Sequence, residues 1–349
     1  MEKEVTYSYL NRHEVETTKF RTFIEKCHGQ GSYEIRLQRM LWYWQLGDEG
    51  FRVLVAKRGD EYVGQSCAYR VLFRNNLKIN ELWWGVDAFV LSEMRGMGIG
   101  KKLQGELHKD VPNFSSAWYS PANGAIKRKC GGHGILTFPF AYYPVSSYVS
   151  ILVELGIKKV FGTEKSYSRI RIPWLYYAIN KIGSKSLKSF EVKEIALPVL
   201  PEFSSFAEEC LADTSFHVIR SEEYLKWKYV NNPRTKCRAL SVEKNGTQAG
   251  LVVFSELLEQ DVVHARAKVI KIYDSLYKSN SGLSHKQLLL LVAAYLRKKG
   301  ERVDGFKMLQ KVDWHPALLY PKYRELLSTL DVDMMQNGYI TYMDQDMEG

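Results

Sequence analysis

The chain has 349 residues, of which 45% are hydrophobic and 25% are charged. This composition is typical of a folded globular protein and excludes the collagen-like, disordered and disulfide-scaffold classes. The 49 basic and 39 acidic residues leave a formal net charge of +10, which suits an anionic partner but does not distinguish nucleic acid, nucleotide and phosphate. The length favours two domains, each large enough to bury its own core.

The hydropathy pattern predicts a cytoplasmic protein without a membrane span. The longest apolar stretch, residues 288–296, is far shorter than the roughly 20 residues that a span requires, and the N-terminus carries no apolar signal region. No His, Cys or Asp cluster has metal-ligand spacing, so no metal is expected. The cysteines are too scattered for a CxxC pair, which argues against a disulfide framework or a zinc site. They are Cys27, Cys67, Cys130, Cys210 and Cys237.

The first half of the sequence predicts an alternation of strands and helices. Two β-rich runs between residues 52 and 73 flank a turn that contains Gly59 and Asp60, which indicates a hairpin. The elements predicted after it are a strand over 82–91, a helix over 101–109, a short strand over 116–120, a helix opened by Pro121 and a β-rich run over 135–145.

The second half repeats this order. The turn segment at residues 55–64 aligns with residues 242–250 at an offset near 186, and the aromatic segment 40–44 parallels 224–229. A β-rich run over 267–273 and a long helix over 285–299 follow. Two copies of one α/β unit, joined around residues 146–190, explain the length. Chance matches between short aromatic and glycine-turn segments are the alternative.

The glycine cluster is the most specific motif. Residues 95–101 read Arg-Gly-Met-Gly-Ile-Gly-Lys, after a predicted strand and before a predicted helix. Glycines let backbone N–H groups approach an anion, and a helix N-terminus directs its unpaired donors and positive dipole end to the same place. A pyrophosphate is the natural ligand. The spacing excludes a P-loop and fits a Rossmann fingerprint poorly.

The spacing Arg-x-x-Gly-x-Gly after a strand resembles motif A of the GNAT superfamily of acyl-CoA-dependent N-acyltransferases. The resemblance implies a loop that holds the CoA pyrophosphate and a preceding strand that pairs with the pantetheine arm. Carried over residue by residue, the implied cofactor-binding positions are Phe89, Val90, Arg95, Gly96, Met97, Gly98, Ile99, Gly100, Lys101 and Asn123.

The resemblance implies a mixed α/β (α+β) fold of two tandem GNAT-like units. It covers residues 50–145 well and 190–346 more loosely, and the second glycine loop, residues 279–284, lacks the arginine and the alternate glycines. We therefore expect an acyl-CoA-binding domain over 1–150, a connecting segment over 151–189 and a degenerate domain over 190–349. The degenerate domain would contribute to an acceptor cleft.

The tandem layout and the aromatic segment 224–229, with Asn231-Asn-Pro and the closing residues 339–346, look like the N-acyltransferases of bacterial surface-polysaccharide clusters. The acceptor implied is a nucleotide-linked amino sugar, such as a dTDP-3-amino-3,6-dideoxyhexose, in lipopolysaccharide or O-antigen biosynthesis. The acyl donor is acetyl-CoA or 3-hydroxybutanoyl-CoA, between which the sequence does not choose. The oligomeric state is not readable.

Asp87 is the first candidate for the base, or for an anchor of the acceptor amine, because it is a polar residue on the strand that would carry the thioester. His133, flanked by glycines, is the second, although a solvated loop histidine is the simpler explanation. Glu81 is a third candidate that also fits a wet strand end. A backbone N–H near residues 89–91 would stabilise the oxyanion. Residues 127–130 replace the tyrosine acid of many GNAT enzymes, so water, a nearby cation or Cys130 remain open for the leaving thiolate.

The candidate acceptor-binding residues are Trp83, Tyr142, Lys228 and Tyr229, which would stack on a base or sugar or meet a phosphate, or else belong to the core. The basic run 127–129 would meet the CoA 3′-phosphate or form a solvated helix face. Two alternatives from other classes stay open: an aminoacyl-tRNA-dependent transferase of peptidoglycan precursors, and a CoA-binding sensor without turnover. Nucleic acid is otherwise not an expected partner, and no membrane insertion is expected.

Overall fold

A computed structural model describes residues 4–116, 120–144, 188–197, 200–214, 216–260, 268–301, 303, 305–309, 322–328 and 330. The strands are β1 (Val5–Leu10), β2 (Phe51–Arg58), β3 (Glu61–Asn75), β4 (Lys78–Val90), β5 (Phe114–Ser116), β6 (His133–Pro144), β7 (Phe190–Ile195), β8 (Phe216–Val218), β9 (Cys237–Lys244), β10 (Thr247–Gln260), β11 (Lys268–Tyr277), β12 (Gly305–Leu309) and β13 (Lys322–Ser328). The helices are α1 (Thr18–His28), α2 (Ser32–Tyr43), α3 (Ile99–Asp110), α4 (Pro121–Lys129), α5 (Leu200–Leu211), α6 (Glu222–Leu225) and α7 (His285–Lys298).

The chain forms two compact units. Unit 1 contains Met1–Thr137, Asp213–Arg234 and Arg324–Gly349, and unit 2 contains Phe138–Ala212 and Thr235–Tyr323. The strand order is β1-β2-β3-β4-β5-β13 in unit 1, with β8 paired to β3, and β6-β12-β11-β10-β9-β7 in unit 2. Parallel pairs, β4 with β5 and β11 with β12, occur among antiparallel ones. These mixed sheets with helices confirm the predicted fold class.

The predicted connecting segment lies almost wholly outside the described residues, so the domain boundaries near 150 and 190 stay a prediction. Residues 213–234, which the sequence repeat assigns to the second copy, pack within unit 1. Among the described residues, no helix is long and apolar enough to span a membrane.

Local turn and cap chemistry explains the first elements of unit 1. The predicted hairpin is confirmed, with Gly59 at φ 61° between β2 and β3. Helix α1 begins after Thr17, whose side chain accepts a hydrogen bond from the Phe20 amide. Its buried residues, Phe20, Phe23 and Ile24, have the i, i+3, i+4 spacing of one helix face. That face packs toward the sheet, where the Phe20 ring meets Tyr62 edge-on at 5.5 Å.

The two aromatic segments that the repeat relates pack against each other in unit 1. The Trp42 indole N–H donates to the Trp227 carbonyl, and the Trp227 indole N–H donates to the Trp42 carbonyl, each at 2.8 Å. The two rings stack at 4.6 Å. Asn231 also donates to the Gln45 side chain at 3.0 Å, across a separation of 186 residues. This reciprocal contact supports a true internal repeat over a chance match.

Unit 2 is built around α7, which buries Leu288, Leu289, Val292 and Leu296 in one hydrophobic cluster with residues of β9 to β12. The helix lies so close to β10 that a Cβ on Gly250 would come within 2.9 Å of Leu288. Any side chain at this position would therefore force the buried Leu288 side chain to move.

Candidate active site

The glycine loop of unit 1 leads into the N-terminus of α3. Gly96 and Gly98 have φ angles of 85° and 76°, a left-handed conformation that side chains other than glycine adopt at a cost. Gly98 is the N-cap of α3 and offers no side chain to the first turn. The first hydrogen bond across it runs from the Lys102 amide to the Gly98 carbonyl at 3.0 Å. The amides of residues 99–101 thus remain available to an anion.

A cavity of about 580 Å³ opens beside this loop. The end of β4, the loop, the first turns of α3 and the start of α4 enclose it. Its lining is Gln65, Ala88, Phe89, Val90, Met94, Arg95, Gly96, Gly98, Ile99, Gly100, Lys101, Leu103, Gln104, Ser120, Ala122, Asn123 and Ile126. All the predicted cofactor residues are in this set except Met97, whose side chain is 54% exposed. Gln65, Gln104 and Ser120 join the site without having been singled out in the sequence.

The pairing of β4 with β5 explains how the end of β4 reaches this cavity. The two described pairs, Trp83 with Phe114 and Trp84 with Ser115, end before the cavity-lining part of β4. Arg95 is exposed, and its Nε donates to the Val90 carbonyl at 3.2 Å. This bond ties the loop arginine to the end of β4 and leaves its two terminal nitrogens to face a phosphate.

The equivalent helix N-terminus in unit 2 carries a side-chain cap. Ser284 is the N-cap of α7, accepts a hydrogen bond from the Gln287 amide and forms a capping box with the Gln287 side chain. Helix α3 has no such side-chain cap. The two helix N-termini therefore differ: the first turn of α3 has no side-chain cap, whereas one first-turn amide of α7 is bonded to Ser284.

Asp87 lies at a break in the register of β4 and has a φ of 47°, unusual for a residue other than glycine. Its side chain is 8% exposed. Arg36 Nη1 contacts Asp87 Oδ1 at 3.0 Å, and Arg39 Nη2 contacts the same oxygen. Asp87 Oδ2 is buried and has no hydrogen-bond partner among the described residues. One carboxylate oxygen is therefore held by α2, and the other is buried without a hydrogen-bond partner among the described residues.

This cluster adjoins the cavity through two lining residues. Gln65 Nε2 donates to the Asp87 carbonyl at 3.1 Å. The Phe89 ring is 4.4 Å from the His28 ring, edge-on, and 5.9 Å from the Arg36 guanidinium. Burial, followed by the nearby Arg36 charge, lowers the pKa of His28 to about 4. His28 is therefore neutral at physiological pH.

The other catalytic candidates lie apart from this cluster. His133 is exposed at the start of β6 and is not among the residues that line the cavity. Glu81 is ion-paired with Arg70 at 2.7 Å. Cys130 is partly buried, and desolvation raises the pKa of its thiol. The Leu91 amide, one of the proposed oxyanion donors, already donates to the Val63 carbonyl at 3.0 Å.

The candidate acceptor-binding residues are buried in unit 1 wherever their side chains are described. Trp83 pairs with Arg70 in the sheet and lies within 5.9 Å of the Arg52 guanidinium. Lys228 is 0% exposed, and Tyr229 is also buried. The Lys228 ammonium lies 4.8 Å from the Trp227 ring and has similar contacts with two other aromatic rings. The Tyr142 side chain lies outside the described residues. Acceptor binding by these four residues stays a prediction.

Lys127 differs from the solvated helix face considered for residues 127–129. It is 3% exposed, its Nζ contacts Ser116 Oγ, and its ammonium lies 5.1 Å from the Phe114 ring. Burial lowers the pKa of Lys127 to about 7. Lys129 on the same helix is exposed. Lys127, the first lysine of the basic run, is therefore buried in the core of unit 1 and does not face a phosphate in solvent.

No group of three or more His, Cys, Asp or Glu side chains in the described parts of the chain is arranged to hold a metal ion. The five cysteines are free thiols. Desolvation is the main cause that raises the pKa of Cys27 to about 11 and of Cys210 to about 12. Neither thiol has the thiolate character of a nucleophile.

The sequence matches no protein-family model and no curated protein. Its structure resembles a GCN5-related N-acetyltransferase from Anabaena variabilis, at 13% identity and a TM-score of 0.58, over 93% of this chain and 72% of that one. It also resembles a probable N-acyltransferase of unknown function from Enterococcus faecalis, at 13% identity and a TM-score of 0.60, with the same coverage. A tandem GNAT protein from the clavulanic acid biosynthesis pathway matches at 11% identity and a TM-score of 0.51, over 93% of this chain and 98% of that one.

These likenesses show the fold. The chain has the fold of GCN5-related N-acetyltransferases, and the tandem GNAT protein shares this fold over 98% of its own length. At identities of 11–13%, these similarities support a shared fold but not a shared substrate.

Proposed function

We propose that this protein is an N-acyltransferase that moves an acyl group from acyl-CoA to the amine of a nucleotide-linked amino sugar. The observation that carries the proposal is the cavity between β4, the glycine loop and α4, with the uncapped N-terminus of α3 at its edge. The fold of GCN5-related N-acetyltransferases supports the acyl transfer. The amino sugar, and with it a role in surface-polysaccharide synthesis, rests on the resemblance of the aromatic segments and the tandem layout.

The residues of the cavity fit the CoA part of an acyl-CoA. The amides of residues 99–101 and the two terminal nitrogens of Arg95 would bind the pyrophosphate, because these donors have no competing acceptor among the described residues. No Cβ projects from Gly96 or Gly98, where a Cβ would point into open space. The backbone of Phe89 and Val90 would bind the pantetheine arm, and Asn123 would bind the opposite wall of the cofactor.

The bound acyl-CoA supplies an activated thioester carbonyl. The acceptor nitrogen forms a bond to the carbonyl carbon, the carbon–sulfur bond breaks, the nitrogen loses a proton and the sulfur leaves as a thiol. Asp87 Oδ2 would accept a hydrogen bond from the amine, since Oδ1 is occupied by Arg36 and Arg39 and fixes the orientation of the carboxylate. Holding the amine and the thioester together would supply much of the rate enhancement. The second catalytic candidate, His133, would act from outside this cavity.

The test is thiol release by the purified protein. The donors are acetyl-CoA and 3-hydroxybutanoyl-CoA, and the acceptors are a panel of nucleotide-linked amino sugars. We expect release that depends on both substrates. Arg95→Ala should weaken acyl-CoA binding about 10- to 100-fold, since it removes a hydrogen-bonded charge from the pyrophosphate. Arg12→Ala, which removes an exposed arginine outside the cavity, should have no such effect.

Absence of thiol release with every amino sugar, in protein that binds CoA in a direct titration, would refute the proposed acceptor. A protein that binds neither donor would refute the acyl transfer itself. Because acyl-CoA and nucleotide sugars are intracellular metabolites, a cytoplasmic location is part of this proposal.

A further inference from the structure

Arg36 has hydrogen-bond donors to spare beside the cavity. It lies on α2, with its side chain 19% exposed. One terminal nitrogen, Nη1, is used on Asp87 Oδ1, and the guanidinium also lies near the Phe89 ring. Within the described part of the chain, Asp87 is the hydrogen-bond partner of Arg36. An arginine has five N–H donors, so most of those of Arg36 remain unused.

Asp87 is shared between two arginines of α2. Arg39, one helical turn away, contacts the same carboxylate oxygen. Arg234 lies near enough that, after burial, it contributes with Arg39 to lowering the pKa of the Arg36 guanidinium. A half-buried cation that shares its counter-ion and faces a second cation is favourably placed for an external anion.

We infer that Arg36 binds an oxyanion of the acceptor, a carboxylate or a phosphate, while Asp87 Oδ2 binds the acceptor's amine. The two groups are linked through Asp87 Oδ1, so the acceptor is a molecule whose amine and oxyanion lie close to each other. This inference rests on the proposed function and narrows the acceptors of the same site. A planar guanidinium with unused N–H groups can bind such an oxyanion in a two-pronged manner.

The test measures binding of matched acceptor pairs to the CoA-loaded protein by calorimetry. The first pair is a 3-amino-3,6-dideoxyhexose 1-phosphate and its methyl glycoside, and the second is β-alanine and β-alaninamide. We expect the charged member of one pair to bind about 10- to 100-fold more tightly than its neutral partner. The pair that shows this preference identifies phosphate or carboxylate as the source of the oxyanion.

Arg36→Gln should abolish the preference, and Arg12→Gln, which removes an exposed charge elsewhere, should preserve it. Arg36→Lys keeps the charge and loses the two-pronged donor geometry, so it should retain part of the preference. If Arg36→Gln does not fold, the reduced preference of Arg36→Lys relative to the natural protein tests the inference. Thermal unfolding checks the fold of each variant.

Equal binding of the charged and neutral members would overturn the inference, as would a preference that survives in Arg36→Gln or a failure of all four compounds to bind. A failure of the proposed function gives a different result, because it appears as missing thiol release even where these ligands bind. The two outcomes are therefore read on separate measurements.

Discussion

The burial of Lys127 predicts how the free energy of unfolding depends on pH. Its side chain is 3% exposed, and burial lowers its pKa from 10.5 in the unfolded chain to about 7. Between those two values the unfolded chain holds a proton that the folded protein has lost. The free energy of unfolding therefore rises with pH across this range. The destabilising effect of the buried charge is fully present below about pH 7 and disappears as the pH approaches 10.5.

The magnitude follows from the linkage between proton binding and stability. Each pH unit over which the two states differ by one proton changes stability by about 1.4 kcal/mol. From about pH 6 to about pH 9, Lys127 alone should stabilise the folded protein by about 3 kcal/mol. Lys127→Met, a replacement of similar size without the charge, should lack this rise. The variant should therefore gain most relative to the natural protein at the acidic end.

Urea denaturation of both proteins at about pH 6 and about pH 9 measures this difference, since titrating groups that do not interact with Lys127 contribute equally and cancel. Lys129→Met serves as the matched control, because Lys129 is exposed on the same helix. Its pH dependence should follow that of the natural protein. Parallel pH dependences for the natural protein and Lys127→Met would refute the reasoning.

Three further predictions concern the loop, the repeat contact and the acceptor carboxylate. Gly98→Ala should destabilise the protein by about 1–2 kcal/mol and weaken CoA binding, because Gly98 has a left-handed conformation. Gly105 lies in the interior of α3 with open space around it, so Gly105→Ala should stabilise the protein by about 0.5–1 kcal/mol. Thermal unfolding and CoA titration distinguish them, and equal effects would contradict this account. Trp42→Phe and Trp227→Phe should each cost about 1–3 kcal/mol, since each leaves a buried carbonyl without its donor. Their combination should cost less than the sum in denaturant unfolding, and strict additivity would argue against a shared contact. Asp87→Asn should reduce kcat/KM for the acceptor by at least about tenfold with little effect on CoA affinity; an unchanged kcat/KM would remove Asp87 from the mechanism.

The parts of the fold that depend on neighbouring residues were predictable. The hairpin at Gly59 and the passage from the glycine loop into α3 follow from turn and cap chemistry, which acts over a few residues. The predicted helix over 101–109 is α3, two residues longer at its start and one at its end. The residues predicted to bind the cofactor line one cavity because they too belong mainly to this one segment, and their role in binding stays a prediction.

The Asp87 cluster, which we propose for the acceptor, could not be predicted, because it depends on distant parts of the chain. Arg36 and Arg39 meet Asp87 across 51 and 48 residues. Their i, i+3 spacing on an amphipathic helix was the one available signal, and it indicates a shared face without naming what the face meets. The burial of Lys127 could not be predicted either, since a basic run at the end of a helix gives no sign that one of its residues lies in the core.

Unit 1 is built from three separate segments of the chain, so its parts are synthesised at different times. Strand β5 pairs with β13 through Ser116 and Leu327, and the Ser115 and Ser328 hydroxyls are 2.7 Å apart. A ribosome adds roughly 5–20 residues per second, so about ten seconds or more separate the appearance of β5 from that of its last neighbour. During that interval β5 is an open sheet edge, which is a site where nascent chains aggregate. Unit 1 thus completes its sheet only after nearly all of unit 2 has been synthesised, and a chain truncated before β13 would leave that edge exposed.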